Sequence, residues 1–420
     1  MNEKECAAVY EALPERLLAA RRKTPPDAET VIRACERAAA GLSEAEFVSV
    51  LSGLGQDEAA ARRNFADARL LLSAPRLRAR LRLELGERYA EPRVYTPEGE
   101  GRAVREAVAP LGVLLHIAAG NMDALPAFSV LEGLLTGNVN ILKLPAADGG
   151  LSVRLLSELT RAEPSLADYI YAFEFSSRDA ARLRELADLS DAVTVWGGEE
   201  AVAALRASAR PNIKLIEWGH KISFAYATKA GLSEGALSGL AAHIAETGQV
   251  LCSSCQGIFL DTEDTADIYA LAERFLPCLK AAYQEKAAMD ISVRAKTALD
   301  VYCAELDAPD KGRRVYKSGG VSVTAAPDSL PEAAIRFGNL WVKRLPREQI
   351  LSVLPPYKNY LQTVGLLCGA EERGELSGLL IRAGAVRVCR PERMSAAYPG
   401  LPHDGEYALR RYVKIVHTEL

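Results

Sequence analysis

Apolar positions between residues 111 and 226 follow two alternating rhythms. Short apolar runs rich in branched residues, Gly112–Ala118, Asn138–Leu144, Ile170–Phe175, Ala192–Trp196 and Ile213–Ile216, predict strands covered on both faces. Between them Leu125–Leu135, Leu151–Thr160, Asp179–Leu189 and Glu199–Ser208 carry apolar residues at helical spacing. Strands joined by helical crossovers predict an α/β fold with a parallel, doubly wound sheet, which binds ligands beyond the carboxyl ends of its strands.

The flanking regions read differently. Glu3–Lys23, Asp27–Ala40, Glu44–Leu54 and Glu58–Gly86 are amphipathic helix patterns, separated by Pro25-Pro26, Gly41 and Gly55. The arginines from Arg76 to Arg82, followed by Glu84, Glu87 and Glu91, read as a solvated helix face. Residues 88–109, interrupted by Pro92, Pro97, Gly99 and Gly101, predict a hairpin that the strand-like Tyr412–Val416 completes. Such an edge suits pairing with a second subunit, and a plain surface loop is equally compatible.

Leu232–Thr247 carries apolar residues at helical spacing, and Gly257–Leu260 is a short apolar run that enters a buried strand. Residues 261–400 predict a second α/β unit. Its helices are Thr265–Ala288, Val293–Glu305, Arg347–Leu354 and Glu371–Ala383, and its strands lie at Arg314–Tyr316, Val321–Thr324, Asn339–Val342, Leu361–Leu367 and Val386–Cys389.

Composition narrows the classes. A chain of 420 residues, 49% hydrophobic and 25% charged with net charge −4, describes a globular protein of two domains, not a nucleic-acid binder or a disordered chain. No run of about 18 apolar residues occurs, so no bilayer span is expected. The acidic, amphipathic start is unlike a secretory signal, and eight scattered cysteines suit a reducing compartment, so the expected location is the cytoplasm.

The candidate chemistry centres on Gly248-Gln249-Val250-Leu251-Cys252-Ser253-Ser254-Cys255-Gln256, a turn between a helix and a strand. Ser, Gln and Gly give a thiol little apolar cover there, so it is open to substrate and to ionisation. Zinc binding is disfavoured, because Cys6, Cys35, Cys278, Cys303, Cys368 and Cys389 form no second C-x-x-C, and no metal is expected. A thioredoxin-like pair would follow a strand and open a helix, the reverse of this order. Further polar groups follow the predicted strands: Asn121 after Gly112–Ala118, Lys143 after Asn138–Leu142, Gly197-Gly198 after Trp196, and Glu217-Trp218-Gly219-His220-Lys221 after Ile213–Ile216. Two glycines opening a helix let a phosphate approach its N-terminus, or simply make a tight turn. There is no G-x-G-x-x-G.

Together these turns resemble the aldehyde dehydrogenase superfamily, and more closely its acyl-CoA reductase branch, the LuxC-type fatty acid reductases. The likeness rests on Pro110-Leu111-Gly112-Val113, Gly120-Asn121, Thr136-Gly137-Asn138-Val139 through Lys143, and Trp196-Gly197-Gly198-Glu199. It continues through Glu217 to Ser223, Gly248-Gln249 with Cys252-Ser253-Ser254, Leu361 to Val364, and His403-Asp404-Gly405. Thirty-five positions separate Glu217 from Cys252 and twenty-two separate Asn121 from Lys143, as the superfamily pattern requires. The thiol stands one residue later after Gln249 than in the superfamily, whereas C-S-x-x-Q fits the reductase branch at Cys252 to Gln256 and favours Cys252 over Cys255.

The resemblance implies an aldehyde-dehydrogenase-like organisation. Residues 1–87 would be the helical part of a cofactor domain, 88–109 an oligomerisation hairpin, 110–228 the NAD(P)-binding domain, 229–400 the catalytic thiol domain and 401–420 an oligomerisation tail. It implies that Cys252 forms an acyl-enzyme from a fatty acyl-CoA or other acyl thioester. Asn121 would stabilise the oxyanion, and Glu217 would match the superfamily's general base. Lys143, Trp196, Gly197, Gly198 and Gly219 would hold NADPH or NADH. A homodimer or homotetramer and an acyl-activating or acyl-transferring partner enzyme are implied as well. An NAD(P)-dependent aldehyde oxidiser, a CoA-acylating dehydrogenase and a cofactor-free acyl-carrying subunit remain alternatives. Cys252, Asn121 and the nicotinamide would then gather around one carbonyl in a cleft between the two lobes.

Overall fold

Six helices come first: α1 (Glu3–Glu11), α2 (Leu13–Arg21), α3 (Ala28–Gly41), α4 (Glu44–Gly53), α5 (Glu58–Leu71) and α6 (Ala74–Leu85). The computed structural model describes residues 3–53, 58–118, 125–145, 148–284 and 291–420. Where single helices were expected over Glu3–Lys23 and Glu58–Gly86, each is two. Pro14 and Pro75 stand in the first turns of α2 and α6, where a missing N–H costs nothing and a continuing helix is forbidden. Asp27 caps α3 by accepting a 2.6 Å bond from the Thr30 N–H.

Strands β1 (Arg93–Tyr95) and β2 (Val104–Pro110) form the expected antiparallel hairpin. The chain then alternates through β3 (Val113–Ile117), α7 (Leu125–Leu135), β4 (Val139–Leu144), α8 (Leu151–Ala162), β5 (Ile170–Glu174), α9 (Ala180–Asp188), β6 (Ala192–Trp196), α10 (Glu199–Ser208) and β7 (Lys214–Trp218). The five strands pair in parallel in the order β5-β4-β3-β6-β7, so the winding reverses between β3 and β6.

Close packing of α7 on this sheet depends on Gly133, where an added Cβ would lie 1.8 Å from Asn140 Oδ1. Nearby, the fully buried His116 ring meets Ser129 Oγ at 2.7 Å and Asn140 Oδ1 at 3.0 Å. Burial pushes its pKa down to about 4, so the ring is neutral. The arginine run is not wholly solvated as expected. Arg80 turns inward to Glu84 and Glu132, each at 2.5 Å, and both carboxylates are buried. Burial opposes its charge, and the Glu132 and Glu84 carboxylates overcome that opposition, holding its pKa above the usual value.

The second sheet is built from β8 (Ile222–Ala227), α11 (Glu234–Thr247), β9 (Cys255–Leu260), α12 (Thr265–Gln284), α13 (Ile291–Asp307), β10 (Arg314–Ser318), β11 (Val321–Ala326), β12 (Asn339–Arg344), α14 (Ile350–Val353), β13 (Leu361–Leu367), α15 (Arg373–Arg382) and β14 (Arg387–Cys389). Its order is β10-β11-β12-β9-β8-β13-β14, parallel except for the β10/β11 hairpin. Because β8 pairs with β9 and β13, the chain divides at Gly219 instead of residue 228. The units are Met1–Gly219 with Tyr398–Leu420, and His220–Ala397. The chain returns to the first unit through α16 (Ala408–Arg411) and β15 (Val413–Glu419). The latter pairs antiparallel with β2 from Val413 opposite Pro110 to Glu419 opposite Val104.

Candidate active site

Helix α11 stops at Gly248, whose φ of +54° is the left-handed conformation that ends helices without a Cβ clash. Gln249 continues at φ +63°, which strains a residue with a side chain and persists only where its surroundings impose it. Here they do. The Gln249 amide donates to the Cys255 carbonyl at 3.0 Å and accepts from the Gly338 N–H at 3.0 Å, with the side chain almost wholly buried. Gln256 braces the same loop: its amide nitrogen donates to the carbonyls of Gln249 and Ser254, and its oxygen accepts from the Ala334 N–H.

A tight turn follows, closed by the Ser254 N–H on the Leu251 carbonyl at 3.0 Å and by the Leu251 N–H on Ser254 Oγ at 3.1 Å. Cys252 is the residue after Leu251 in that turn and is exposed. Its carbonyl accepts a 2.7 Å bond from Ser223 Oγ, which itself accepts from the Thr363 N–H at 3.0 Å. Both ladders of β8 shift register at this level, between Ser223 and Ala225 and between Leu361 and Val364. An irregularity of this kind re-aims side chains next to sites. Cys255, three residues on, is already the first residue of β9. It is fully buried and donates to the Gly257 carbonyl at 3.2 Å, and burial pushes its thiol up to about 12. Of the two thiols only Cys252 can meet a substrate, and Cys255 is held protonated.

In the first unit the winding reverses between β3 and β6, which is where doubly wound sheets bind ligands. Trp196 ends β6, stacks on Trp218 at 5.4 Å and donates to Ser129 Oγ at 3.2 Å. His403 lies edge-on to Trp218, 4.9 Å away. The Gly197 N–H reaches the Trp218 carbonyl at 3.3 Å, and Gly198 caps α10. A Cβ on Gly198 or on Gly219 would meet nothing within 4 Å, so the backbone at these turns is approachable. Glu199 and Glu200 stand in the first turn of α10 and disfavour an anion directly on the helix axis.

Lys143 is buried near the end of β4. Its ammonium donates to Ser177 Oγ at 2.8 Å and faces the Phe175 ring, and burial pulls its pKa down against the nearby Glu174. Glu217, on β7, is gripped by both nitrogens of an Arg206 fork, one contact measuring 2.5 Å. Asn121 lies outside the described residues. Cys252 thus belongs to the second unit, and Lys143, Trp196, Gly197, Gly198, Glu217 and Gly219 belong to the first.

A family model described as acyl-CoA reductase (LuxC) matches residues 24–415. The chain belongs to the acyl-CoA reductase (LuxC) family. Among curated relatives of this family, the long-chain acyl-protein thioester reductase 2 of Photobacterium leiognathi is 26% identical over 326 residues, 74% of this chain. The chain spans 64% of that relative's length. Among solved structures, aldehyde dehydrogenase 21 of Physcomitrella patens superposes with a TM-score of 0.74 at 14% identity, covering 100% of this chain and 91% of its own. Glyceraldehyde-3-phosphate dehydrogenase GapN of Methanocaldococcus jannaschii, complexed with NADP, gives 0.73 at 13% identity, covering 100% and 95%. The fold of this LuxC-family chain is therefore that of the aldehyde dehydrogenase superfamily. No helix among the described residues is long and apolar enough to cross a membrane.

Sequence reasoning missed two groups in this reductase-family chain. Nothing local in the sequence marks Ser223, which fixes the Cys252 carbonyl from β8, a strand 29 residues earlier in the chain. The Arg206 clamp on Glu217 joins α10 to β7 and had no signal in spacing.

Proposed function

We propose that this protein reduces a fatty acyl thioester, carried by CoA or by a protein, to the aldehyde, with NADPH as cofactor and NADH as the alternative. The observation that carries the proposal is the exposed Cys252, held by Ser223, Ser254 and Gln249 in a chain of this family. The Cys252 thiolate attacks the thioester carbonyl, a new sulfur–carbon bond forms, and the original thiol departs. The amide of Asn121 and the N–H of Cys252 stabilise the oxyanion, a contribution of about 3 to 4 kcal/mol per donor. When bound, a reduced nicotinamide supplies the hydride that turns the acyl group into an aldehyde. Cys252 then leaves as thiolate. Lys143 would contact a ribose hydroxyl or phosphate of the cofactor, and Trp196, Gly197, Gly198 and Gly219 would lie beside it, with open backbone at Gly198 and Gly219. Glu217, engaged by Arg206, serves placement in this scheme, since a water-activating base would hydrolyse the acyl-enzyme.

Oxidation of NADPH with fatty acyl-CoA or an acylated protein, with the aldehyde measured as product, tests the reading. Cofactor binding without acyl-dependent oxidation contradicts it and favours an aldehyde oxidiser. Acylation without any cofactor binding favours the acyl carrier. Asn121→Ala is expected to lower turnover by about 100-fold or more with the fold retained. An unchanged rate removes the oxyanion role. We further propose that the outer edge of β15, which exposes Ile415 and Val416, joins subunits into a homodimer or homotetramer, and that a partner enzyme supplies the acyl group.

A further inference from the structure

Helix α13 is amphipathic in the reverse of the usual sense. Its inward face is small and sparse: Thr297 is buried and Val293, Val301 and Ala304 are half-buried. Its outward face carries Ile291, Ala295, Leu299, Tyr302 and Leu306 at steps of four, four, three and four, one continuous helical stripe. The four large residues are 80%, 60%, 57% and 61% exposed. Scattered apolar residues are ordinary on a surface, but a contiguous row over the whole length of a helix marks a face meant to be covered.

The charges beside the row say by what. On one flank stand Arg294 toward the start of the helix and Glu305 toward its end, the latter also paired in-chain with Lys317. If a second α13 lies antiparallel across a twofold axis near Leu299, this flank meets its own copy, and Arg294 faces Glu305 of the partner subunit, twice by symmetry. A parallel arrangement would instead bring Arg294 toward Lys296 on the other flank, like against like. The helix carries Arg294 and Lys296 against Asp300, Glu305 and Asp307, and this lack of cationic excess argues against an anionic membrane surface. We propose that α13 is a self-association surface, packing antiparallel against α13 of a second copy of this chain through Ile291, Leu299, Tyr302 and Leu306, with Arg294 and Glu305 setting the direction.

The test is sedimentation of the full chain over a range of concentrations up to about 100 µM, ample for a specific helix-pair interface. The double variant Leu299→Glu/Tyr302→Glu should lose one association step, halving the assembly mass, with its circular dichroism unchanged because neither side chain is packed inside the chain. Arg294→Glu alone should weaken association by about tenfold or more, and Arg294→Glu combined with Glu305→Arg should restore it. Ala298→Cys in a Cys303→Ser background should form an interchain disulfide near the axis. An unchanged mass in the Leu299→Glu/Tyr302→Glu chain, no self-association in the wild type, or a charge swap that fails to rescue overturns the proposal. So does capture of a different protein by this face while the chain itself stays monomeric.

Discussion

The thiol loop of the second unit and the glycine turn of the first are built on opposite principles. Around Cys252 the carbonyls of Gln249, Cys252, Ser254 and Cys255 and the N–H of Leu251 are met from behind by side chains of Ser223, Gln249, Ser254 and Gln256, and one residue is held at a strained φ to achieve it. Around Gly198 and Gly219 nothing presses in, and a Cβ on either would meet nothing within 4 Å. The difference teaches what each job demands. In the function proposed above Cys252 is the nucleophile, and a nucleophile must hold its direction while a bond forms, which an over-determined loop provides. The cofactor proposed for the glycine turn would bring its own shape, and space beside a strand end would serve it.

The largest effect expected from breaking this contrast is at the sulfur. Cys252→Ala should abolish aldehyde formation, whereas Cys255→Ala, which removes only a buried and protonated thiol, should keep most of it. Loss of activity in both variants or in neither, measured by NADPH oxidation, breaks the distinction. Gln249→Ala comes next. It orphans the Gly338 N–H and the Cys255 carbonyl, at about 1 to 3 kcal/mol for each buried group, and releases the strained turn. Its urea midpoint and acylation rate should fall together, and a fall in stability with an unchanged acylation rate would show that the loop does not aim the thiol.

Acidification should destabilise both units by comparable amounts. His116 in the first and His243 in the second are each pushed down to about 4 by burial, with Arg387 adding to the effect at His243. Between pH 6.5 and about 4 the unfolded chain therefore binds protons that the folded rings refuse. Stability is flat above that window and falls within it, by up to about 3 kcal/mol per ring. Urea midpoints that do not change between pH 7 and 4.5 contradict this neutral burial. The smallest effect belongs to the glycine turn. Gly198→Ala should leave stability within about 0.5 kcal/mol, because its φ is ordinary and its space is empty. It should weaken NADPH binding by about tenfold if a cofactor uses that space. Undiminished affinity, read by fluorescence titration, sharpens the comparison by moving the cofactor elsewhere.

Much of the fold was legible because periodicity is local. Ala192–Trp196, Leu361–Leu367, Leu125–Leu135 and Glu199–Ser208 fall where the apolar spacing predicts them. The departures from that spacing are of two kinds. Pro14 and Pro75 sit inside long helical patterns, and proline in a first turn starts a new helix there. The inward turn of Arg80, the Ser223 bond to Cys252 and the Arg206 fork on Glu217 depend on partners that only the folded chain brings near. Placing β8 with the second sheet is the same lesson, since its own sequence reads as a strand for either. The difference in exposure between Cys252 and Cys255 has its physical cause in the start of β9 at Cys255, which takes that side chain into the core.

Peptide mass mapping of the protein incubated with a fatty acyl thioester in the absence of nicotinamide tests the central claim most directly. The account predicts one acyl adduct on the peptide carrying Cys252, lost in Cys252→Ser and retained in Cys255→Ser. An adduct on any other residue, or one that survives in Cys252→Ser, contradicts it.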